Sequence, residues 1–467
     1  MTRTTRCTSR SISGGGLGLA CLLLPCLFSA LAVAAEPTAS ARQAAATVLE
    51  LMATGDADLE AVALERVRYG LRGTWFTAAA GECLPRLPPA RQARLLAALA
   101  DRGDPAALPA ARSLASSSDD DVRLAAVGFF GRMGEPQDLP FLLAALARGG
   151  RDAAVARRAL IEFPAADAVR AAATTAPPPT QAVLIEVLAD RRDRKALPIF
   201  AAAADGDPSA RPAAVGALAR CGTARELDAL VRPFFQTAGD DRKAAEAAIV
   251  AVCTTGSDAG TAAESLVAGF AKLDPERQEA MLPVLARVGG PAVMAIVDGL
   301  VADPTTRRRG LEALARWPDA TVTDRLLAIH TATDDADEKQ LILNALIRIA
   351  PLPDNRLDDA GRLALLETTL GLCDRADDRV RVIERANAIR TYEAFRFVAG
   401  FLDDPTLADA ACRSVVELAH HRTLRDAHKA EFMAALDKVL ATSKNPELRD
   451  RATRYKAGQT WDRKQKG

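Results

Sequence analysis

The residues best suited to metal or acid–base chemistry gather near the end of the chain, where three of its four histidines lie within nine positions. The cluster consists of His420, His421, His428, Glu417 and Asp426. Imidazole with carboxylate is a ligand set that zinc and iron accept. His421 and His428 are seven residues apart and would have to share one helix face. A turn predicted around residues 423–424 separates them, so the pattern does not favour a metal centre.

Other catalytic motifs are missing from the sequence. It contains no His-Glu-x-x-His, no Cys-x-x-Cys, no phosphate-binding Gly-x-x-x-x-Gly-Lys and no Gly-x-Ser-x-Gly. Carboxylate pairs are frequent, but they fall in Asp-rich turns before helices, where aspartate caps free backbone N–H groups. We therefore predict no enzymatic activity, no cofactor and no metal.

One column of charged residues is suited to binding a partner. Arginine stands two positions after a recurring apolar residue in five places: Arg132, Arg220, Arg287, Arg316 and Arg348. A structural role also explains such residues, because a cation in the last helical turn gains about 0.3–1 kcal/mol from the helix dipole. Asp101, Glu162 and Asp190 take the same place elsewhere, so the column changes from acidic to basic along the chain. A graded surface of this kind would orient an extended, acidic protein segment.

These residues belong to a repeat of about 30 residues. Its central apolar position recurs as Leu99, Phe130, Leu160, Leu188, Leu218, Ile249, Leu285, Leu314 and Leu346. This period is typical of stacked helical repeats, and the Ala-rich composition with only 4% aromatic residues suits closely packed helices. The predicted fold is an all-α, right-handed solenoid of stacked antiparallel helix pairs.

Signals for helix starts and ends recur within the repeats. An N-capping side chain precedes proline at Asp104, Asp207, Asp274, Asp303, Asp404 and Asn445. Glycine or proline ends the helices. The run Pro177, Pro178 and Pro179 predicts an extended connection, since consecutive prolines cannot continue a helix.

An Asp-rich turn followed by Val-Arg-x-Ala-Ala resembles the HEAT-repeat family of armadillo-type superhelices. Residues 119–126 are the closest copy and residues 205–214 the next. The resemblance implies protein binding and scaffolding rather than one reaction. It also implies a polar ladder between neighbouring repeats, which gives a structural role to Arg123, Arg211, Arg242 and Arg307.

Two enzyme groups are built on similar repeats. The di-iron deoxyhypusine hydroxylases carry repeated His-Glu pairs, but here the four histidines precede Thr331, His421, Arg422 and Lys429. Phycobilin lyases offer no compact motif to compare. The alternative to a scaffold is therefore an enzyme, phycobilin-lyase-like or other, or the regulatory arm of one, with an active site outside these motifs.

The repeats extend over residues 36–450. A Pro- and Asp-rich segment at 351–360 interrupts them, and the next matching position, Ile389, follows Leu346 by 43 residues. This segment is either a loop or a seam between two stretches of solenoid. Residues 451–467 lack an apolar stripe and predict a polar, frayed tail.

Residues 1–35 have the pattern of a signal peptide. Three arginines precede an apolar run at residues 17–31, and small residues at 32–35 offer a cleavage site. We expect export to the periplasm or beyond, with an uncleaved membrane anchor as the alternative. Exported chains made mostly of such repeats resemble the HEAT-repeat proteins of Gram-negative bacteria.

Charge and cysteine content narrow the choice of partner. The chain has 60 basic and 60 acidic residues, and removal of the signal peptide leaves a net charge of −3. Attraction to nucleic acid or to an anionic membrane is not indicated. Cys221 and Cys253 lie one repeat apart and are either bridged or buried as free thiols. The sequence favours a non-catalytic scaffold that presents an extended curved surface to a protein or peptide outside the cytoplasm.

Overall fold

The computed structural model describes residues 37–71, 73–353 and 356–459. These residues form 27 α-helices, joined by short 3₁₀ turns and one π-helical turn, and within them no β-strand occurs. The predicted signal peptide at 1–35 lies outside the described residues, as do residues 460–467 of the predicted tail. In the described part of the chain, no helix is both long enough and apolar enough to cross a membrane.

The described residues divide into two compact units, one up to residue 126 and the other from residue 127 onward. The first contains α1 (Ala39–Leu51), α2 (Ala57–Glu65), α3 (Thr74–Cys83), α4 (Pro89–Arg102), α5 (Leu108–Leu114) and the start of α6 (Asp120–Met133). In this unit α2 packs against α4, while α1 and α5 pack against α3.

The second unit holds the end of α6 and the remaining helices. They are α7 (Leu139–Arg148), α8 (Gly150–Glu162), α9 (Ala166–Thr175), α10 (Pro178–Asp190), α11 (Leu197–Asp205), α12 (Arg211–Cys221), α13 (Asp228–Gln236), α14 (Gly239–Thr255), α15 (Ala259–Phe270), α16 (Pro275–Val288), α17 (Pro291–Ala302), α18 (Arg307–Ala315), α19 (Thr323–Ala332), α20 (Ala336–Ile349), α21 (Asp359–Gly371), α22 (Ala376–Ala386), α23 (Tyr392–Ala399), α24 (Ala408–Ala419), α25 (Arg422–Ala427), α26 (Lys429–Thr442) and α27 (Pro446–Lys456).

Helices of the second unit form two layers. Each even-numbered helix from α8 to α22 packs against the next even-numbered helix, and each odd-numbered helix from α7 to α23 packs against the even-numbered helix that follows it. Two-layer stacking of successive helix pairs defines an α-solenoid, which confirms the predicted all-α fold.

In the second unit, the recurring apolar position forms the core of the even-numbered layer. The eight predicted residues from Phe130 to Leu346 lie on its helices and are fully buried, and Leu99 is fully buried on α4 of the first unit. Burying a large apolar side chain contributes about 1.5–3 kcal/mol, so this column is a main source of the stability of the stack.

Beyond residue 350 the equivalent position is Ile383, not Ile389. Arg381 donates to the side chain of Asn344, and Arg385 donates to the backbone carbonyl of Arg348, so residues 37 apart meet. The same offset leads from Leu346 to Ile383, which is fully buried in α22. Helix α20, which precedes the predicted seam at 351–360, packs against α21 and α22, which follow it in the chain.

The proline run differs from the prediction. Pro177 has an extended backbone and precedes α10, whereas Pro178 and Pro179 form the first turn of that helix. The first N–H groups of a helix have no partner within it, so proline loses nothing there.

The helical array also extends beyond the predicted end at residue 450. Helix α27 continues to Lys456, and Ala452 and Tyr455 are buried. Its N-cap is Asn445, whose side chain accepts hydrogen bonds from the N–H groups of Glu447 and Leu448.

Candidate functional site

The five arginines of the predicted column lie in equivalent places. Each stands in the last turn of an even-numbered helix or directly after it: Arg132 on α6, Arg220 on α12, Arg287 on α16, Arg316 after α18 and Arg348 on α20. The repeat therefore brings them to corresponding helix ends, as its spacing predicts.

Arg220 and Arg287 form ion pairs within the chain. The Nη1 atom of Arg220 lies 2.6 Å from a carboxylate oxygen of Asp190, at the end of the preceding even-numbered helix. Arg287 approaches Glu246 of α14 at the same distance. Both arginines are nearly half exposed, so each pair contributes at most about 1 kcal/mol.

The acidic members of the column take part in the same pairing. Asp190 accepts from Arg157 as well as from Arg220, and Glu162 lies 3.8 Å from Arg132. In the first unit, Asp101 pairs with an arginine of the π-helical turn. The two signs of charge therefore neutralise each other between neighbouring helix ends, and the graded surface that the sequence indicates is partly cancelled.

Arg348 is held differently, through backbone carbonyls. Its guanidinium donates to the carbonyls of Ala315 and Trp317, at the end of α18, over 3.0 and 2.6 Å. Burial lowers its pKa, and the nearby Arg385 lowers it further. We call this contact, in which an arginine of one helix end binds carbonyls of the preceding even-numbered helix end, a carbonyl clamp.

A second carbonyl clamp was not predicted. Arg191, one residue after α10, donates to the carbonyls of Leu160, Ile161 and Phe163 at the end of α8. Burial lowers the pKa of its guanidinium as well. The orphan carbonyls of one helix are thus satisfied by the next repeat.

Arg316 is the most available member of the column. It is exposed, it forms no ion pair among the described residues, and its side chain reaches only the carbonyl of Glu312 in its own helix, over 3.4 Å. Partner binding by the whole column remains a prediction. Arg316 could bind a partner without first breaking an ion pair within the described chain.

The arginines of the Asp-rich turns make contacts within the chain, and that of Arg307 crosses to the next repeat, as the polar ladder implied by the HEAT resemblance requires. Arg123 donates to the carbonyl of Ser117, just before α6, and Arg211 donates to the carbonyl of Ala204, in the last turn of α11. Arg307 binds Glu338 of the next even-numbered helix through two hydrogen bonds of 2.9 and 3.0 Å. Arg242 instead lies over the ring of Phe234, 4.6 Å from its centre.

The histidine cluster does not converge on one point. His420 Nδ1 lies 2.9 Å from the hydroxyl of Tyr455, while His428 stacks on Tyr392 with 3.7 Å between ring centres. The two carboxylates of the cluster, Glu417 and Asp426, form ion pairs with arginines. Over residues 37–71, 73–353 and 356–459, no three His, Cys, Asp or Glu side chains are grouped to hold a metal ion.

The described cysteines are all free thiols, including Cys221 and Cys253. The Cys221 Sγ donates to the carbonyl of Ala217, 3.0 Å away, in its own helix. Burial raises the pKa of Cys253 to about 12, and Asp258 adds to this effect. Cys253 is buried and Cys221 is partly buried, and burial raises the pKa of both thiols, which disfavours the reactive thiolate.

A basic turn at residues 191–195 between α10 and α11 was missed in the sequence. Together with the start of α9 it lines an open cavity of about 470 Å³. The sequence contains a sign of this turn. Arg192 stands four residues after Leu188, and at the same distance Gly103 follows Leu99 and Gly289 follows Leu285.

Comparison with known proteins agrees with the architecture. The fold and its rows of equivalent residues define an α-solenoid repeat protein. Within the chain, residues 79–162 match the family model described as HEAT repeats. No curated protein matches the chain by sequence.

Several solved structures of the karyopherin Kap121p are similar to the chain. Kap121p bound to the SUMO protease Ulp1p has 12% identity and a TM-score of 0.44, over 89% of this chain and 53% of that one. Kap121p bound to the extreme C-terminus of the protein phosphatase Cdc14p gives 12% and 0.43 over 89% and 53%, and Kap121p bound to Ste12p gives 10% and 0.41 over 90% and 56%. The chain spans about half the length of these proteins.

Proposed function

We propose that the chain is a non-catalytic scaffold that binds a protein or peptide partner along its stacked helices. The observation that carries this proposal is the row geometry of the second unit. Residues at equivalent positions of consecutive even-numbered helices meet, as Arg220 meets Asp190 and Arg413 meets Glu384. A surface that repeats the same positions along successive helices suits an extended segment of another protein.

We further propose that this binding takes place outside the cytoplasm. The support is the sequence of residues 1–35, with its basic start, its apolar run and the small residues before Glu36. An affinity-tagged chain, expressed in its native host, should be recovered from the periplasm or the medium with a mature N-terminus near Ala35 or Glu36. Intact protein that retains Met1 in the cytoplasm would contradict export.

Capture after chemical crosslinking in living cells tests the scaffold itself. We expect one stoichiometric protein partner that survives stringent washing and is absent from a mock-tagged control. A stoichiometric pigment, metal or small molecule without a protein partner would support the alternative of a repeat-based enzyme.

The arginine column is the first surface to test with that partner. The triple variant Arg220→Glu, Arg287→Glu and Arg316→Glu reverses partly or fully exposed charge at the ends of α12, α16 and α18. Loss of capture with unchanged helicity supports partner binding by the column. Unchanged capture would mean that the column is structural and that the partner binds another surface.

A further inference from the structure

The basic turn contains a strained residue at its centre. Arg192 has φ 53° and is, among the described residues, the one non-glycine residue with positive φ. The N–H of Arg192 donates to the carbonyl of Ala189, and the N–H of Asp193 donates to the carbonyl of Leu188. These two hydrogen bonds terminate α10. This left-handed position after a helix suits glycine, since a Cβ atom makes it unfavourable.

Other repeats use glycine at the same position. Gly103 and Gly289, each four residues after the buried leucine of its repeat, both have positive φ, and Gly103 is left-handed with φ 70° and ψ 28°, whereas Gly289 combines φ 71° with ψ −159°. Among the described residues, Arg192 is the one position where a long cationic side chain stands at a positive φ. Strained backbone positions are concentrated at functional sites. The positive φ of Arg192 therefore makes its side chain a candidate for binding.

The cavity beside this turn is predominantly cationic. Five cationic side chains line it against two carboxylates, and its other wall is the first turn of α9. The cations are Arg170, Arg191, Arg192, Arg194 and Lys195, and the carboxylates are Asp167 and Asp193.

Two of the five cations are already engaged. Arg191 forms the carbonyl clamp on α8, and Arg170 is hydrogen-bonded to both Asp167 and Asp193. These contacts use the two carboxylates and hold the walls of the cavity in place.

The other three cations remain available. Arg192, Arg194 and Lys195 are exposed, and within the described chain none of them forms an ion pair. Arg194 makes one neutral contact, to the hydroxyl of Ser257 over 3.2 Å. Three exposed cations beside an open cavity attract anions that carry several charged groups.

We propose that the basic turn binds a carboxylate-rich segment of the partner protein. Guanidinium groups accept carboxylates in paired hydrogen bonds, and three cations along one turn match side-chain carboxylates along a peptide. A cavity of about 470 Å³ has room for several side chains of such a segment. This inference rests on the proposed scaffold function and specifies the chemistry of its partner.

Fluorescence anisotropy with a fluorescein-labelled hexaglutamate peptide tests the site, with hexaglutamine as the neutral probe. The full-length protein should bind hexaglutamate at low salt, not hexaglutamine, and binding should weaken as salt is raised. The variant Arg192→Glu, Arg194→Glu and Lys195→Glu should weaken it by about tenfold or more.

Two controls make the test specific. The variant Lys243→Glu, Lys429→Glu and Lys444→Glu changes the net charge equally at exposed sites elsewhere and should bind as the unmodified protein does. Equal loss of binding in both triple variants would overturn the site, because general charge would then explain it. Full competition by inorganic phosphate at equal charge concentration would also overturn it, in favour of a small-anion site.

Arg192→Gly provides a variant that should fold at least as well as the original. Glycine relieves the strained backbone, so the melting temperature should rise by about 1–3 °C while hexaglutamate binding weakens. A higher melting temperature with unchanged binding would overturn the role of Arg192.

The two proposals can fail separately. Undiminished capture of the native protein partner by the basic-turn triple variant would reject this site and leave the scaffold function standing. Specific hexaglutamate binding by a chain that captures no native protein would support the site and reject the scaffold function.

Discussion

At the level of single residues, arginine joins neighbouring repeats in two ways that differ in burial. Arg220 and Arg287 form half-exposed ion pairs, which solvent and salt weaken. Arg348 and Arg191 form carbonyl clamps, and partial burial strengthens these hydrogen bonds to carbonyls at helix ends. The clamps should therefore matter more for stability than the ion pairs.

Replacing Arg348 with alanine should destabilise the protein by about 2–3 kcal/mol. The change removes charge-assisted hydrogen bonds from the carbonyls of Ala315 and Trp317, at and just after the end of α18. Urea denaturation followed by circular dichroism measures the effect. Arg316→Ala, at an exposed and unpaired position, is the control and should change stability by no more than about 0.5 kcal/mol. Equal effects of the two changes would contradict the importance of the clamp.

Buried thiols should resist modification in the folded protein. Burial raises the pKa of Cys253 to about 12 and that of Cys412 to about 11, so almost no thiolate exists at pH 8. Titration with a chromogenic disulfide should label these two residues only after unfolding. Because their folded pKa values lie above the ordinary value of 9.0, burial of the neutral thiols favours folding fully below pH 9. That contribution is lost as the pH rises toward 12. Rapid labelling at pH 8 would show that α14 and α24 open readily.

At the level of helices, close approach is set by small residues at defined places. Gly131 of α6 lies against α8, where an added Cβ atom would come within 2.7 Å of the Cα atom of Ala159. Gly128, one turn earlier, faces open space. Close helix packing therefore requires glycine at position 131 but not at position 128.

Alanine substitutions separate the two cases. Gly131→Ala should destabilise the protein by about 1–3 kcal/mol, because backbone atoms of α8 must move. Gly128→Ala should stabilise it by about 0.5–1 kcal/mol through the higher helix propensity of alanine. Thermal melts of the two variants give both values, and a stabilising Gly131→Ala would disprove the close helix contact.

The positions of the helices could be predicted from the sequence, but the residues that pair between helices could not. The buried column and the cap at Asn445 follow from local spacing and side-chain chemistry. Ion-pair partners do not, because Arg220 meets a carboxylate 30 positions away and Arg287 one 41 positions away. That offset depends on how much one helix slides on the next. The same uncertainty placed the match after residue 350 at Ile389 instead of Ile383.

At the level of the whole molecule, each repeat gains most of its stability from its neighbours. The even-numbered layer is continuous from α8 to α24, and each repeat contributes one helix to each layer. The two-unit division within α6 had no counterpart in composition or period, so the sequence indicated one domain from 36 to 450.

Deleting a whole repeat should be tolerated better than deleting half of one. Removal of residues 207–239 takes out α12 and α13 and joins α11 to α14, which preserves the alternation of layers. Removal of 207–222 takes out α12 alone and places two odd-numbered helices in succession. We expect a cooperative melt by circular dichroism for the first variant and a broad, low-temperature transition for the second. Equal collapse of both would argue against a linear array.

The carbonyl clamps also have a mechanical consequence. They join successive helix ends of one layer, so tension along the array loads the guanidinium bridges directly. Pulled in an optical trap, the chain should lengthen in steps of one repeat, about 30 residues or roughly 100 Å of extended polypeptide. Arg348→Ala should lower the force at which the repeat containing α18 is released and leave the other steps unchanged. Arginine would then set the stiffness of this protein as well as its stability.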